Sequence, residues 1–152
     1  MADMITVTID GREVQVAPET TILEAALKLN IHIPTLCHSE LVEPYGACRM
    51  CTVEVNEGRK SKLVTSCNYP VRKDCTVETK NERVINNRKN ILAMMIARWP
   101  EVKIIQDMAK FHGVEHPGFD HPNVDFNPNA CILCGHCMRI CEQGIWENII
   151  NF

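Results

Sequence analysis

Nine cysteines lie in this 152-residue sequence, and eight of them fall into two groups of four. Cys37, Cys48, Cys51 and Cys67 occupy the first half, Cys131, Cys134, Cys137 and Cys141 lie near the end, and Cys75 stands alone between them. An odd count cannot pair off completely in disulfides. The first twenty residues carry Asp3, Asp10, Arg12 and Glu13 rather than an apolar run, so no export signal is expected. Reduced thiols in a cytoplasmic chain, acting as metal ligands, are the better reading. In the first group only Cys48 and Cys51 are closely spaced, and Cys37 stands on a long loop that includes Gly46 and Ala47. Four thiolates so placed can hold tetrahedral zinc or a 2Fe-2S cluster. Small residues that let backbone N–H groups approach the sulfurs favour the cluster. In the second group, Cys-x2-Cys-x2-Cys-x3-Cys lets one loop wrap three corners of a 4Fe-4S cubane, an arrangement that zinc seldom uses.

The elements that must position these thiols follow from local pattern. Ile5, Val7 and Ile9 alternate with polar residues, Asp10-Gly11 is a two-residue hairpin signal, and Val14 and Val16 resume the alternation. Thr21 and Glu24 make a capping-box pattern ahead of Ile22, Ala25, Ala26 and Leu29, which share one face of a helix over 22–29. Residues 34–46 read as loop, and 52–55, 63–65 and 76–79 as short strands, giving a mixed sheet wrapped over one helix. Helices are expected over 86–98, stopped by Pro100, and over 102–111. Residues 112–130, with Pro117, Pro122 and Pro128, read as a linker in which His112, His116 and His121 are solvated loop residues rather than metal ligands. Ile145, Trp146, Ile149, Ile150 and Phe152 are core residues covering the second site or a contact with another subunit.

Composition narrows the function. With 45% apolar residues the chain has material for a core, and 16 Lys+Arg against 19 Asp+Glu leave no basic face for nucleic acid or an anionic membrane. The longest apolar run is 91–97, far below the roughly 18 residues of a membrane span, so no direct membrane insertion is expected. No Gly-rich dinucleotide fingerprint, P-loop or Ser/His/Asp arrangement is present, which points away from organic catalysis.

The segments Ile33-Pro34-Thr35-Leu36-Cys37-His38, Pro44-Tyr45-Gly46-Ala47-Cys48-Arg49-Met50-Cys51 and Ser66-Cys67-Asn68-Tyr69-Pro70-Val71 closely resemble the β-grasp ferredoxin domain. The version they resemble begins the largest peripheral subunit of NADH:quinone oxidoreductase (complex I), iron-only hydrogenases and the diaphorase small subunit of NAD-reducing hydrogenases. The resemblance implies that Cys37, Cys48, Cys51 and Cys67 bind 2Fe-2S. The family then has a His and three Cys holding a 4Fe-4S cluster. Here Trp99 stands at the place of the His, Glu101-Val102 follows Pro100 where the cysteine-bearing loop would be, and that loop is deleted. Cys131 to Cys137 again resembles the family, whose ferredoxin domain carries two such runs that exchange fourth cysteines; this sequence has one run, with Glu142 where Pro commonly follows. Cys141 is the favoured fourth ligand, with a partner chain, Cys75 or a His as alternatives. Cys75 reads as a small buried hydrophobe.

The fold class expected is therefore α+β. A β-grasp 2Fe-2S domain covers 1–80, a helical and extended connector without the His/Cys3 cluster covers 81–128, and a half-ferredoxin 4Fe-4S module covers 129–152. The resemblance implies a non-catalytic subunit with one 2Fe-2S and one 4Fe-4S cluster. It would relay single electrons between a flavin- and NAD(P)H-binding subunit and a further iron-sulfur or catalytic redox subunit. An NAD(P)H-linked hydrogenase, a formate dehydrogenase or an electron-bifurcating transhydrogenase would fit. A zinc-stabilised interaction module and an iron-sulfur redox sensor remain as alternatives.

Overall fold

In the computed structural model, which describes residues 4–58 and 60–144, the opening alternation forms the hairpin β1 (Ile5–Ile9) and β2 (Arg12–Val16). Its strands pair antiparallel from Ile5↔Val16 to Ile9↔Arg12. Asp10 and Gly11 turn the chain with φ of 47° and 80°, both in the left-handed region that a two-residue hairpin of matching twist requires. The Asp10 carboxylate also accepts from Thr79 N–H at 2.8 Å and from its hydroxyl at 2.6 Å, which ties the turn to the end of the strand beside β1.

Helix α1 (Ile22–Lys28) starts on the capping box read from the sequence: Glu24 N–H donates to Thr21 Oγ1 at 3.2 Å, and Thr21 N–H to the Glu24 carboxylate at 2.7 Å. Two orphan N–H groups of the first turn are thus satisfied, and Ile22, Leu23, Ala25 and Ala26 are buried. Strands β3 (Thr52–Asn56), β4 (Ser61–Thr65) and β5 (Cys75–Glu78) complete a five-stranded mixed sheet in the order β2-β1-β5-β3-β4. Only β1 and β5 run parallel, with Val7 opposite Cys75 and Ile9 opposite Val77. Val7, Ile9, Val16, Ile22, Val53, Val55 and Val77 form the core with Cys51, Cys67 and Cys75. Each fully buried Val or Ile contributes about 1.5–3 kcal/mol.

Helix α2 (Glu82–Arg98) begins ahead of the expected residue 86, because Asn81 caps it: its side-chain oxygen accepts from Val84 N–H at 2.9 Å. Helix α3 (Lys103–Phe111) follows after Trp99 and Pro100, and buries Ile105 and Ala109. Trp99 itself is buried, with the Arg98 guanidinium 5.0 Å from its ring centroid. The stretch beyond α3 has no regular structure up to Gly135; it is turned by short local bonds such as Asn127 N–H to Asp125, and Asp125 N–H donates back to the Arg98 carbonyl of α2 at 2.7 Å. Helix α4 (His136–Gly144) carries two of the later cysteines. The apolar residues Ile145, Trp146, Ile149, Ile150 and Phe152 lie outside the described residues.

The described chain divides into two compact units. Residues up to Lys80 and from Cys134 form one, and Asn81–Leu133 form the other. Among the described residues no helix is long and apolar enough to cross a membrane.

Candidate metal centre

The loop between α1 and β3, the start of β3 and the turn after β4 bring four thiols together in the first unit. Cys37, Cys48, Cys51 and Cys67 are each between 1% and 8% exposed, so water has little access to them. They group as two pairs. Cys48 N–H donates to Cys37 Sγ at 3.4 Å, and the Cys48 thiol donates to the same sulfur. The Cys67 thiol and backbone N–H donate to Cys51. Mainly through these thiol donors, opposed by burial, Cys37 is lowered to about 5 and Cys51 to about 6, while Cys48 and Cys67 are raised. Each pair therefore sheds its first proton easily and holds its second, a state ready to bind a metal that displaces the second.

Backbone geometry builds the cradle. Arg49, at φ 62°, is a non-glycine residue in the left-handed region, a local cost of order 1 kcal/mol. Its carbonyl accepts from Thr52 N–H at 3.1 Å and from the Thr52 hydroxyl at 2.6 Å, which holds the bend between Cys48 and Cys51. Backbone N–H groups of Ala47 and Met50 point at the sulfurs of Cys37 and Cys48. Ser66 is fully buried beside Cys51, whose thiol it helps to lower, and its hydroxyl makes no hydrogen bond of ordinary geometry. Gly46 sits at φ 69°, and a Cβ there would lie 2.6 Å from Asn68 Nδ2. That amide stands on the turn bearing Cys67 and is held by the Thr65 hydroxyl, so Gly46 lets the loop of Cys48 approach the turn of Cys67. Gly46→Ala is expected to destabilise the domain by about 1–3 kcal/mol, from the left-handed backbone and the displaced amide together. A lowered midpoint in chemical denaturation, with the slope unchanged, checks this.

The second group is arranged differently. Cys134 is half-buried just before α4; Cys137, exposed, and Cys141, buried, lie four residues apart on that helix. Cys131 is exposed and belongs to the second unit. Leu133 and Gly135 take φ of 57° and 73°, so the chain bends sharply on both sides of Cys134. Cys75 is buried in β5, as a small core residue, with its thiol pushed up to about 11 chiefly by burial. Among the described residues no three His, Cys, Asp or Glu side chains surround a single point as the ligands of one metal ion would, His112, His116 and His121 included.

One residue with a clear place at the first site carries no signal in the sequence. Arg139 lies between two cysteines of the second group, yet its guanidinium donates to the carbonyl of Cys37 at 2.6 Å and to that of Glu43 at 2.7 Å. Partners 102 and 96 residues away leave no periodicity to read.

Comparison with known proteins agrees with this geometry. A family model described as a 2Fe-2S iron-sulfur cluster binding domain matches residues 2–82. The alpha subunit of an NADPH-Fe(3+) oxidoreductase from Geobacter sulfurreducens is 34% identical over 168 residues, covering 97% of this chain and 20% of the relative. The NADP-reducing hydrogenase subunit HndD of Solidesulfovibrio fructosivorans is 32% identical over 164 residues, covering 91% of this chain and 28% of the relative. The chain thus spans less than a third of the length of either relative. A crystal structure of an NAD+-reducing NiFe hydrogenase in the H2-reduced state superposes with a TM-score of 0.73 at 32% identity, over 90% of this chain and 65% of the other.

Proposed function

We propose, from the premise that this chain belongs to the 2Fe-2S iron-sulfur cluster binding domain family, that it is an iron-sulfur subunit relaying single electrons within a larger oxidoreductase. The observation that carries this reading is the division of four buried thiols into the pairs Cys37/Cys48 and Cys51/Cys67. Two irons with two thiolates each match that division, whereas one zinc ion takes all four sulfurs around one point. We assign 2Fe-2S to Cys37, Cys48, Cys51 and Cys67, and 4Fe-4S to Cys131, Cys134, Cys137 and Cys141. In this reading residues 1–80 are the 2Fe-2S domain, 81–128 the connector and 129–152 the 4Fe-4S module.

A bound cluster supplies one-electron chemistry. The chain's own residues do the rest: they exclude water from the four sulfurs, hold backbone N–H groups towards them, and fix their spacing through Arg49 and Gly46. Hydrogen bonds to sulfur favour added electron density and so raise the reduction potential.

The partners we propose are a flavin- and NAD(P)H-binding subunit on one side and a further iron-sulfur or catalytic redox subunit on the other, in a cytoplasmic complex. The names of the relatives, an NADPH-linked oxidoreductase subunit and an NADP-reducing hydrogenase subunit, support that class, as does a formate dehydrogenase assignment among the more distant matches. Anaerobic reconstitution followed by metal analysis is expected to give about six irons per chain, two from the first site and four from the second, with reduced-state EPR signals of both cluster types. Stoichiometric zinc with no reduced-cluster signal would falsify the redox reading. About two irons per chain would remove the second cluster and leave the first.

A further inference from the structure

Arg139 is a buried charge whose counter-ion is missing from its own hydrogen bonds. The side chain is 5% exposed. Its guanidinium donates through Nη2 to Cys37 O at 2.6 Å, through Nη1 to Glu43 O at 2.7 Å and through Nε to Gly135 O at 3.3 Å, and it stands 5.4 Å from the Tyr45 ring centroid. Every one of these partners is neutral, and among the described residues no carboxylate pairs with it. Hydrogen bonds to carbonyls satisfy the donors of a buried cation and leave its charge unbalanced, which is a costly arrangement unless an anion lies close. The negative charge within reach is that of the first cysteine site. Arg139 holds the peptide of Cys37 directly, through the 2.6 Å bond from Nη2 to its carbonyl.

We propose that Arg139 is a positioning and charge-balancing residue of the first cysteine site: it fixes the Cys37 peptide and supplies the positive charge that favours the reduced state of the group held there. The proposal rests on the assignment of 2Fe-2S to that site. Four thiolates and the cluster carry net negative charge, and one added electron deepens it. A fixed cation beside Cys37 stabilises the reduced form more than the oxidised form and raises the potential. Arginine suits the task because one rigid fork reaches two separate carbonyls and cannot lose its proton. Since Arg139 sits on α4 between Cys137 and Cys141, the charge at the first site is present only while α4 is folded.

The full 152-residue chain, reconstituted anaerobically, allows the test in three forms: wild type, Arg139→Gln and Arg139→Lys. The readout is the midpoint of the 2Fe-2S EPR signal in a potentiometric titration. In Arg139→Gln the reduced-to-oxidised ratio at fixed potential is expected to fall about tenfold, a midpoint about 59 mV lower for a one-electron couple. Arg139→Lys, which keeps the charge and loses the fork, is expected to stay within about threefold of wild type. Retention of the cluster by Arg139→Lys and its loss from Arg139→Gln also supports the proposal. An unchanged midpoint in Arg139→Gln overturns it, as do equal shifts in the two variants or loss of 2Fe-2S from both. A wild-type chain with no 2Fe-2S signal refutes the site assignment itself, and is distinguished from those outcomes by the wild-type spectrum alone.

Discussion

Cys51→Ser is expected to abolish the 2Fe-2S absorbance and EPR signal and to lower the melting temperature of the reconstituted chain by more than about 10 °C. Cys51 closes the loop that carries Cys37 and Cys48, and the next residue opens β3. Its partner Cys67 stands on the turn that follows β4, so this pair spans the β3–β4 ribbon at the end where Thr52 faces Thr65. A serine oxygen is a hard, weakly acidic donor and does not replace a thiolate on iron. Without the metal, the loop over residues 34–51 has little regular structure to hold it, and four buried thiols are left without the charge that binds them. A ligand bound at a hundredfold above its Kd stabilises by about 2.7 kcal/mol, and each kcal/mol moves the midpoint of a domain this size by about 4–8 °C. Cys75→Ala serves as the control, since it removes a buried thiol from the core without touching either pair; it should cost about 1 kcal/mol and leave the iron content intact. Iron content equal to wild type in Cys51→Ser would refute the ligand assignment.

The second large effect concerns the reductant. The reconstituted chain alone, mixed anaerobically with NADH or NADPH, is expected to show no bleaching of cluster absorbance on a catalytic timescale, and to bleach once a flavin- and NAD(P)H-binding partner is added. A nicotinamide delivers two electrons at once as hydride, whereas each cluster accepts one, so a flavin must stand between them. No Gly-rich dinucleotide fingerprint or P-loop occurs in the sequence, and among the described residues the first site is framed by the loop between α1 and β3 and the turn after β4, not by a nucleotide-binding strand-helix crossover. Dithionite, a one-electron reductant, provides the positive control. Rapid reduction by NADPH without any flavoprotein would overturn the relay reading.

Much of the first unit is legible in the sequence because its determinants are local. The hairpin follows from period-two alternation around Asp10-Gly11, and the start of α1 from Thr21 and Glu24, each a pattern within a few residues. The four early cysteines are read as one site because their spacing and flanking residues resemble a known domain. The start of α2 is misjudged by a few residues because Asn81 caps it through a single side-chain bond, and the polar Glu82 and Arg83 of its first turn show no apolar periodicity. Arg139 is invisible for a different reason: its meaning lies in carbonyls of Cys37 and Glu43, and backbone acceptors have no residue type to betray them.

The parallel pairing of β1 with β5 sets the order in which a growing chain acquires its thiols and its sheet. Val7 must wait for Cys75, and Ile9 for Val77, so the central rung of the sheet joins segments 68 residues apart. By the time the last of those residues leaves the ribosome, Cys37, Cys48, Cys51 and Cys67 have all emerged, ahead of the strand that closes the core around two of them. Non-local pairing of this kind is the slow part of folding, because loop-closure entropy is lost before contacts compensate it. Nascent chains therefore pass through an interval in which four thiols are open to solvent, to metal delivery and to oxidants alike, and the rate at which β5 docks determines how long that interval lasts.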